Sequence, residues 1–175
     1  MEELKYPIGK YIQLPFSKEL KMQWLASILD LPLQLEYAVT NLDEAQLDTP
    51  YRDGGWTVKQ VVHHVADSHM NAFIRTKLAL TELTTPTITP YNQDAWVELA
   101  DCSNVPVNIS LTLLHSLHRR WYELMKDLPE SSWNLAVYHP QYKKEMTIWY
   151  ILGLYAWHGQ HHSAHINKLR ERKGW

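Results

Sequence analysis

The segment from Thr147 to Arg172 contains no proline and places His158, His161, His162 and His165 among apolar and aromatic residues. Thr147 offers a cap at its start and Gly174 a stop just past its end, so the segment reads as one long helix. At about 100° per residue the four imidazoles project within a sector of roughly 100°, which makes a single histidine-lined stripe. A helix of this length carrying such a stripe requires other helices to cover it. The stripe must then face a metal ion, a hydrogen-bonded polar core or a partner surface.

Three further long helices can be read. Ser17 caps a segment from Lys18 to about Thr40 in which Leu20, Trp24, Ile28, Leu31, Leu35 and Val39 recur at spacings of three and four, with an interruption or kink expected at Pro32. Thr57 and Gln60 form a capping box, and Trp56 is placed to staple onto Val61 at the head of a helix running past His63, His64, Asp67, His69 and Arg75 to about Glu82. Ser110 is the expected cap of a third helix with the stripe Leu113, Leu114, Leu117, Trp121, Leu124 and Leu128. Residues 1–16, with Pro7, Gly9 and Pro15, read as an extended arm. Short helices are expected at Asp43–Gln46 and Pro129–Trp133, a glycine turn at Tyr51–Trp56 and a small hairpin within 134–146. Residues 83–108, with three prolines, form a long loop with one short turn around Asp94–Leu99.

The two halves repeat one plan: long helix, short helix, connection, then a Thr-capped helix bearing histidines. The expectation is an all-α four-helix bundle over residues 1–175 as one domain, with a long loop between the second and third long helices. The formal charge of −2 gives no field for gathering nucleic acid. The single Cys102 excludes an internal disulfide, and no run approaches the length of a membrane span. A cytoplasmic location is expected, since Glu2, Glu3 and Lys5 leave no apolar signal segment.

Within the stripe, His158 with His162 and His161 with His165 are both spaced i, i+4, a pairing that can share a zinc or nickel ion without distorting the helix. A third ligand must come from another helix. The other dense supply is His63-His64, which flank the apolar face of their helix on opposite sides, and spacing does not choose between them. His115, His118 and His139 lack this context; His115 and His118 sit on a flank that reads as exposed.

The strings Tyr6-Pro-Ile-Gly9, Leu47-Asp-Thr-Pro-Tyr-Arg-Asp-Gly-Gly-Trp-Thr-Val58, Gln60-Val-Val-His-His64, Ala66-Asp-Ser-His-Met-Asn71, Gly153-Leu-Tyr155 and Trp157-His-x-x-His-His-x-Ala-His-Ile166 strongly resemble YfiT-type metal-dependent hydrolases of the DinB-like superfamily. The similarity spans nearly the whole chain. The resemblance implies a four-helix bundle, commonly a homodimer, with one zinc or nickel ion held by three histidines. It places those ligands at His64, in the Gln-x-x-x-His-x-x-Asp motif, and at the pair His158 and His162. Members are also similar to bacillithiol-dependent S-transferases.

Three neutral imidazoles leave a divalent ion with open coordination, suited to a catalytic site. Two chemistries follow: activation of water for hydrolysis, or stabilisation of a small thiol such as bacillithiol as thiolate for transfer to an electrophile. The absence of a His-Glu-x-x-His pattern favours thiol transfer, with hydrolysis as the alternative and a non-catalytic metal-binding stress-response bundle as the third reading. Asp67, about one turn beyond His64, is a candidate to orient an imidazole. Arg52 and Arg75 are candidates to hold a carboxylate of a substrate or thiol.

Overall fold

Ser17, Thr57 and Thr147 each stand in extended backbone ahead of a long helix, and each hydroxyl accepts the amide hydrogen three residues on, from Leu20, Gln60 and Tyr150. Such caps satisfy donors that a helix start leaves unpaired and contribute about 1 kcal/mol each. The computed structural model describes residues 2–175. Its elements are α1 (Glu2–Lys5), α2 (Lys18–Val39), α3 (Glu44–Leu47), α4 (Val58–Thr81), α5 (Gln93–Trp96), α6 (Ala100–Asn104), α7 (Val107–Met125), a 3-10 turn (Glu130–Asn134), strands β1 (Ala136–His139) and β2 (Lys144–Thr147), and α8 (Ile148–Lys173). Gly174 ends α8 at φ 69° with its amide on the Arg170 carbonyl.

The four long helices form the expected bundle. α2 packs against α7 and α8, and α4 packs against the same two, so α2 and α4 stand across one diagonal and α7 and α8 across the other. Long helices next to each other in sequence within each half are therefore not neighbours in space, and their connections must cross an end of the bundle. Both crossings include antiparallel pairing: an isolated bridge between Pro50 and Thr57, and the β1–β2 hairpin with Val137 opposite Met146. The repeat of the two halves is thus visible in three dimensions.

Four expectations are corrected. Pro32 does not interrupt α2, which is helical from Lys18 to Val39. Proline removes the hydrogen bond to the carbonyl four residues back, here Ile28, and His118 Nδ1 donates to that carbonyl instead. Ser110 does not cap α7, which begins at Val107 behind Pro106; its hydroxyl is hydrogen-bonded to His63 Nδ1 at 2.8 Å. The N-terminal arm is not extended throughout but contains the helical turn α1. The long loop holds two short helices, α5 and α6, and is tied to the hairpin by Ile88 N–H to the Tyr138 carbonyl (3.0 Å) and Tyr138 N–H to the Pro86 carbonyl (2.8 Å).

The interior is divided. One apolar cluster, around Ile28, Leu117, Trp121, Trp133, Trp149 and Leu152, fills the hairpin end. A second, around Leu31, Leu35, Val58, Val62, Leu114 and Ile166, fills the other. In α4 and α8 the gap between them is occupied by His69, His158 and His162. Burying so many polar rings in mid-bundle is costly unless their nitrogens are partnered. Among the described residues no helix is long and apolar enough to cross a membrane.

Candidate metal centre

His64 on α4 and His158 and His162 on α8 bring one ring nitrogen each to within 4.8 Å of one another. The Nε2 atoms of His64 and His158 are 3.3 Å apart. Gly159 permits the approach of α8 to α2 beside this cluster, since a Cβ there would collide with the Leu31 side chain.

A hydrogen-bond chain behind the cluster fixes how His165 and His162 are protonated. The Lys5 carbonyl can only accept, so His165 Nε2, at 3.2 Å, carries the hydrogen and leaves His165 Nδ1 as an acceptor. His162 Nδ1 lies 3.4 Å from that acceptor and donates to it, which leaves the His162 Nε2 lone pair free. His158 Nδ1 lies 3.1 Å from His69 Nε2, and the tautomer in which His158 donates is the one that leaves its Nε2 lone pair toward His64 for a metal. The His64 and His158 Nε2 atoms, 3.3 Å apart, can share one hydrogen or, with both lone pairs free, one cation. Burial holds His64 down to about 4, and holds His158 and His162 well below the usual imidazole value, with neighbouring imidazoles adding to the effect. All three are therefore neutral near pH 7, the form that binds metal. The donor set fits zinc or nickel, and among the described residues no fourth His, Cys or carboxylate joins it.

The geometry separates His63 from His64. His63 Nε2 donates to the Val105 carbonyl (3.1 Å) and Nδ1 accepts from Ser110, so both its nitrogens face the loop and α7. His161 stacks on Trp157, with centroids 4.4 Å apart, and stays outside the cluster. His115 is exposed and pairs with Glu36 at 3.0 Å. His118, expected on an exposed flank, is fully buried: Leu114, Leu117 and Trp121 put it on the inner face of α7, where Ile28 supplies its partner. Asp67 makes no side-chain hydrogen bond to an imidazole among the described residues; burial and the Asp101 charge raise its carboxyl to about 6. Arg52 is occupied locally by the Tyr51 hydroxyl (3.1 Å) and the Asp53 carbonyl (3.0 Å).

Comparison with known proteins fits this arrangement. Residues 32–166 match the DinB superfamily. A Bacillus mycoides protein (strain KBAB4) named "Putative metal-dependent hydrolase" is 50% identical over 176 residues, covering 100% of both chains, and a Bacillus cereus protein (strain ATCC 10987) of the same name is 51% identical over the same span. The solved structure of YfiT from Bacillus subtilis, described as a probable metal-dependent hydrolase with an unusual four-helix bundle topology, superposes with a TM-score of 0.96 at 49% identity, covering 99% of each chain. This chain is a YfiT-like member of the DinB superfamily.

In this YfiT-like bundle the cluster opens into a cavity of about 340 Å³ whose walls include Tyr6, Trp56, Trp157 and Asp94. Trp56 lies against His64, with centroids 4.5 Å apart, and Tyr51 stacks on His165 at 4.0 Å, so the glycine turn is a wall of the site. A second cavity, of about 650 Å³, meets the first at His158 and Asp94 and is lined by Arg75, Tyr91 and Tyr155. Sequence reasoning did not identify Asp94 or His69 as parts of the site, and it left His165 with His161 as the alternative pair bordering the ligands. Asp94 arrives from a distant loop, held because Gln60 Nε2 donates to the Val97 carbonyl (3.2 Å) and to the Glu98 carboxylate (3.0 Å). His69 lies five residues after His64, and only the fold shows that it backs His158 rather than joining the ligands.

Proposed function

We propose that this chain is a metal-dependent hydrolase in which His64, His158 and His162 hold one zinc or nickel ion. The observation that carries the reading is the convergence of three neutral imidazoles whose second nitrogens, on His158 and His162, are already tied down by His69 and His165. Such partners fix ring orientation and raise ligand basicity. A divalent ion held there supplies Lewis acidity: it brings the pKa of a water toward neutrality and polarises a carbonyl oxygen.

The chain's own residues supply the rest. Asp94 lines the same cavity and is a carboxylate acceptor for the proton a water gives up when it attacks a carbonyl carbon. The same group can return that proton to the departing alcohol or amine, so that ester or amide and water give acid plus alcohol or amine. Tyr6, Trp56 and Trp157 give the cavity aromatic walls for a substrate to lie against. The names of the relatives support hydrolysis, and Asp94 supplies the proton acceptor that the sequence pattern lacked.

A second reading, transfer of a small thiol such as bacillithiol to an electrophile, is favoured by one feature: His158 is a wall of two cavities, so two co-substrates can approach from different sides. The test is to assay metal-loaded protein against a panel of p-nitrophenyl esters and anilides, with monochlorobimane plus bacillithiol in parallel. Thiol-independent cleavage that disappears in His158→Ala is the expected result. Thiol-dependent consumption of the bimane without ester or amide cleavage would replace hydrolysis by transfer, and bound metal with neither activity would make the centre non-catalytic.

A further inference from the structure

Arg75 is 7% exposed, yet no carboxylate lies within ion-pair distance of it among the described residues. Buried arginines are ordinarily paired. Others in this chain have evident structural partners: Arg170 donates to the Ala38 and Thr40 carbonyls at 2.9 Å each, closing the end of α2, and Arg172 donates to the Tyr51 carbonyl at 2.6 Å. Arg75 instead lines the 650 Å³ cavity that reaches His158.

The Tyr155 hydroxyl is a hydrogen-bond partner of Arg75, but the surroundings provide no neutralising charge beside it. Burial raises Tyr91 to about 12 and keeps Tyr155 above its ordinary value, so both remain neutral phenols. His139 is pushed down by burial and by the Arg75 charge, which keeps it an uncharged imidazole. Asp94, at the exposed rim, is the only acidic residue among those lining the cavity.

Helix geometry relates this cation to the metal cluster. Arg75 follows His64 by eleven residues, which returns to within about 20° of the same face of α4 and places it roughly 16 Å further along the axis. Side chains lean toward a helix N-terminus, so the guanidinium leans back toward the cluster and leaves a gap on the order of 10 Å. On the facing helix, Tyr155 is one turn from His158, with ring centroids 5.5 Å apart, and lies between Arg75 and the cluster.

We propose that Arg75 and the phenols of Tyr91 and Tyr155 form a subsite for a substrate carboxylate, so that the enzyme acts on acids whose reacting bond lies several bonds from the carboxyl group. The assignment deepens the hydrolase reading and rests on it for the fate of the bound acid, though not for the binding itself. A planar guanidinium matches a carboxylate in bidentate fashion. One cation balances a monoanion, whereas a phosphate dianion would call for a second, which the cavity lacks.

The test is calorimetric titration of zinc-loaded protein with 4-phenylbutyrate, 4-phenylbutyramide and phenyl phosphate, in wild type, Arg75→Met and Arg75→Lys. The acid should bind at least tenfold more tightly than the amide and no more weakly than phenyl phosphate. That preference should fall below threefold in Arg75→Met and survive in part in Arg75→Lys. Arginine-labelled wild-type protein gives an independent readout that does not depend on the variants folding: one side-chain Nε–Hε resonance should shift with the acid and not with the amide. Equal binding of acid and amide, binding of neither, or a preference that persists in Arg75→Met would overturn the assignment. Tenfold tighter phenyl phosphate would overturn the choice of carboxylate. If the acid binds through Arg75 but no half-ester or half-amide of a long dicarboxylic acid is cleaved, the hydrolase reading fails and the subsite stands.

Discussion

His158 Nδ1 and His69 Nε2 lie 3.1 Å apart, so one side of the His158 ring is held by a second histidine while the other faces His64 and His162. His69 in turn stacks on His118 with centroids 4.9 Å apart, and His118 is fixed by the Ile28 carbonyl that Pro32 leaves free. The orientation of a proposed ligand on α8 is thus set by residues of α4, α7 and α2. His69→Leu removes the acceptor and should weaken zinc binding by about 10- to 100-fold, measured by competition with a chromophoric chelator, with the helical circular dichroism retained. Unchanged affinity would mean that His69 is only packing.

His118 makes a prediction about acid stability. Burial holds it down to about 4 in the fold, against about 6.5 in an unfolded chain. Between these values the unfolded state binds more protons, so stability is full above about pH 6.5 and is lost as pH falls toward 4. Asn at this position keeps an amide donor near the Ile28 carbonyl but does not titrate. Urea denaturation of chelator-treated protein should show wild type losing about 2 kcal/mol more than His118→Asn between pH 7 and pH 5. Parallel losses in the two proteins would contradict the assignment of this pH dependence to His118.

Gly159 sits where α8 meets Leu31 of α2. Ala favours helix by about 1 kcal/mol over Gly, so an exposed site would gain from the change. Here the added methyl must displace a buried leucine, and overpacking of this kind costs about 1–3 kcal/mol. Gly159→Ala should lower the urea midpoint with little change in slope; a raised midpoint would show that the contact is not tight.

Asp94→Asn removes the proposed proton acceptor without touching the three imidazoles. Ester hydrolysis should fall by about 10²- to 10⁴-fold in kcat, with the metal content measured by mass spectrometry unchanged. Loss of metal together with activity would instead make Asp94 part of metal retention.

The bundle was legible because its signals are local. Caps at Ser17, Thr57 and Thr147 act within three residues, and the apolar spacings of α2 and α7 follow from helix periodicity. Errors arose where a residue serves a distant partner. Ser110 resembles a cap, but its hydroxyl is bound to His63, forty-seven residues away. Pro32 reads as an interruption, but a histidine on another helix compensates for the lost hydrogen bond. The same limit applied at the site. Spacing narrowed the candidates to two histidine pairs and to His63 or His64, and family resemblance had to choose among them. The supporting roles of His69 and Asp94, and the Lys5 carbonyl that sets the tautomer of His165, depend on contacts between α4, α8, the N-terminal arm and the long loop, which no sequence window contains.

The central claim is that one ion is held by His64, His158 and His162 and by no other histidine pair. It is tested most directly by metal analysis of purified, zinc-supplemented protein and its single alanine variants. One equivalent per chain in wild type, retained in His63→Ala and His161→Ala and lost in His64→Ala, His158→Ala and His162→Ala, is the predicted result. Full metal content in any of those last three, or its loss in His161→Ala with the fold intact, would contradict the account.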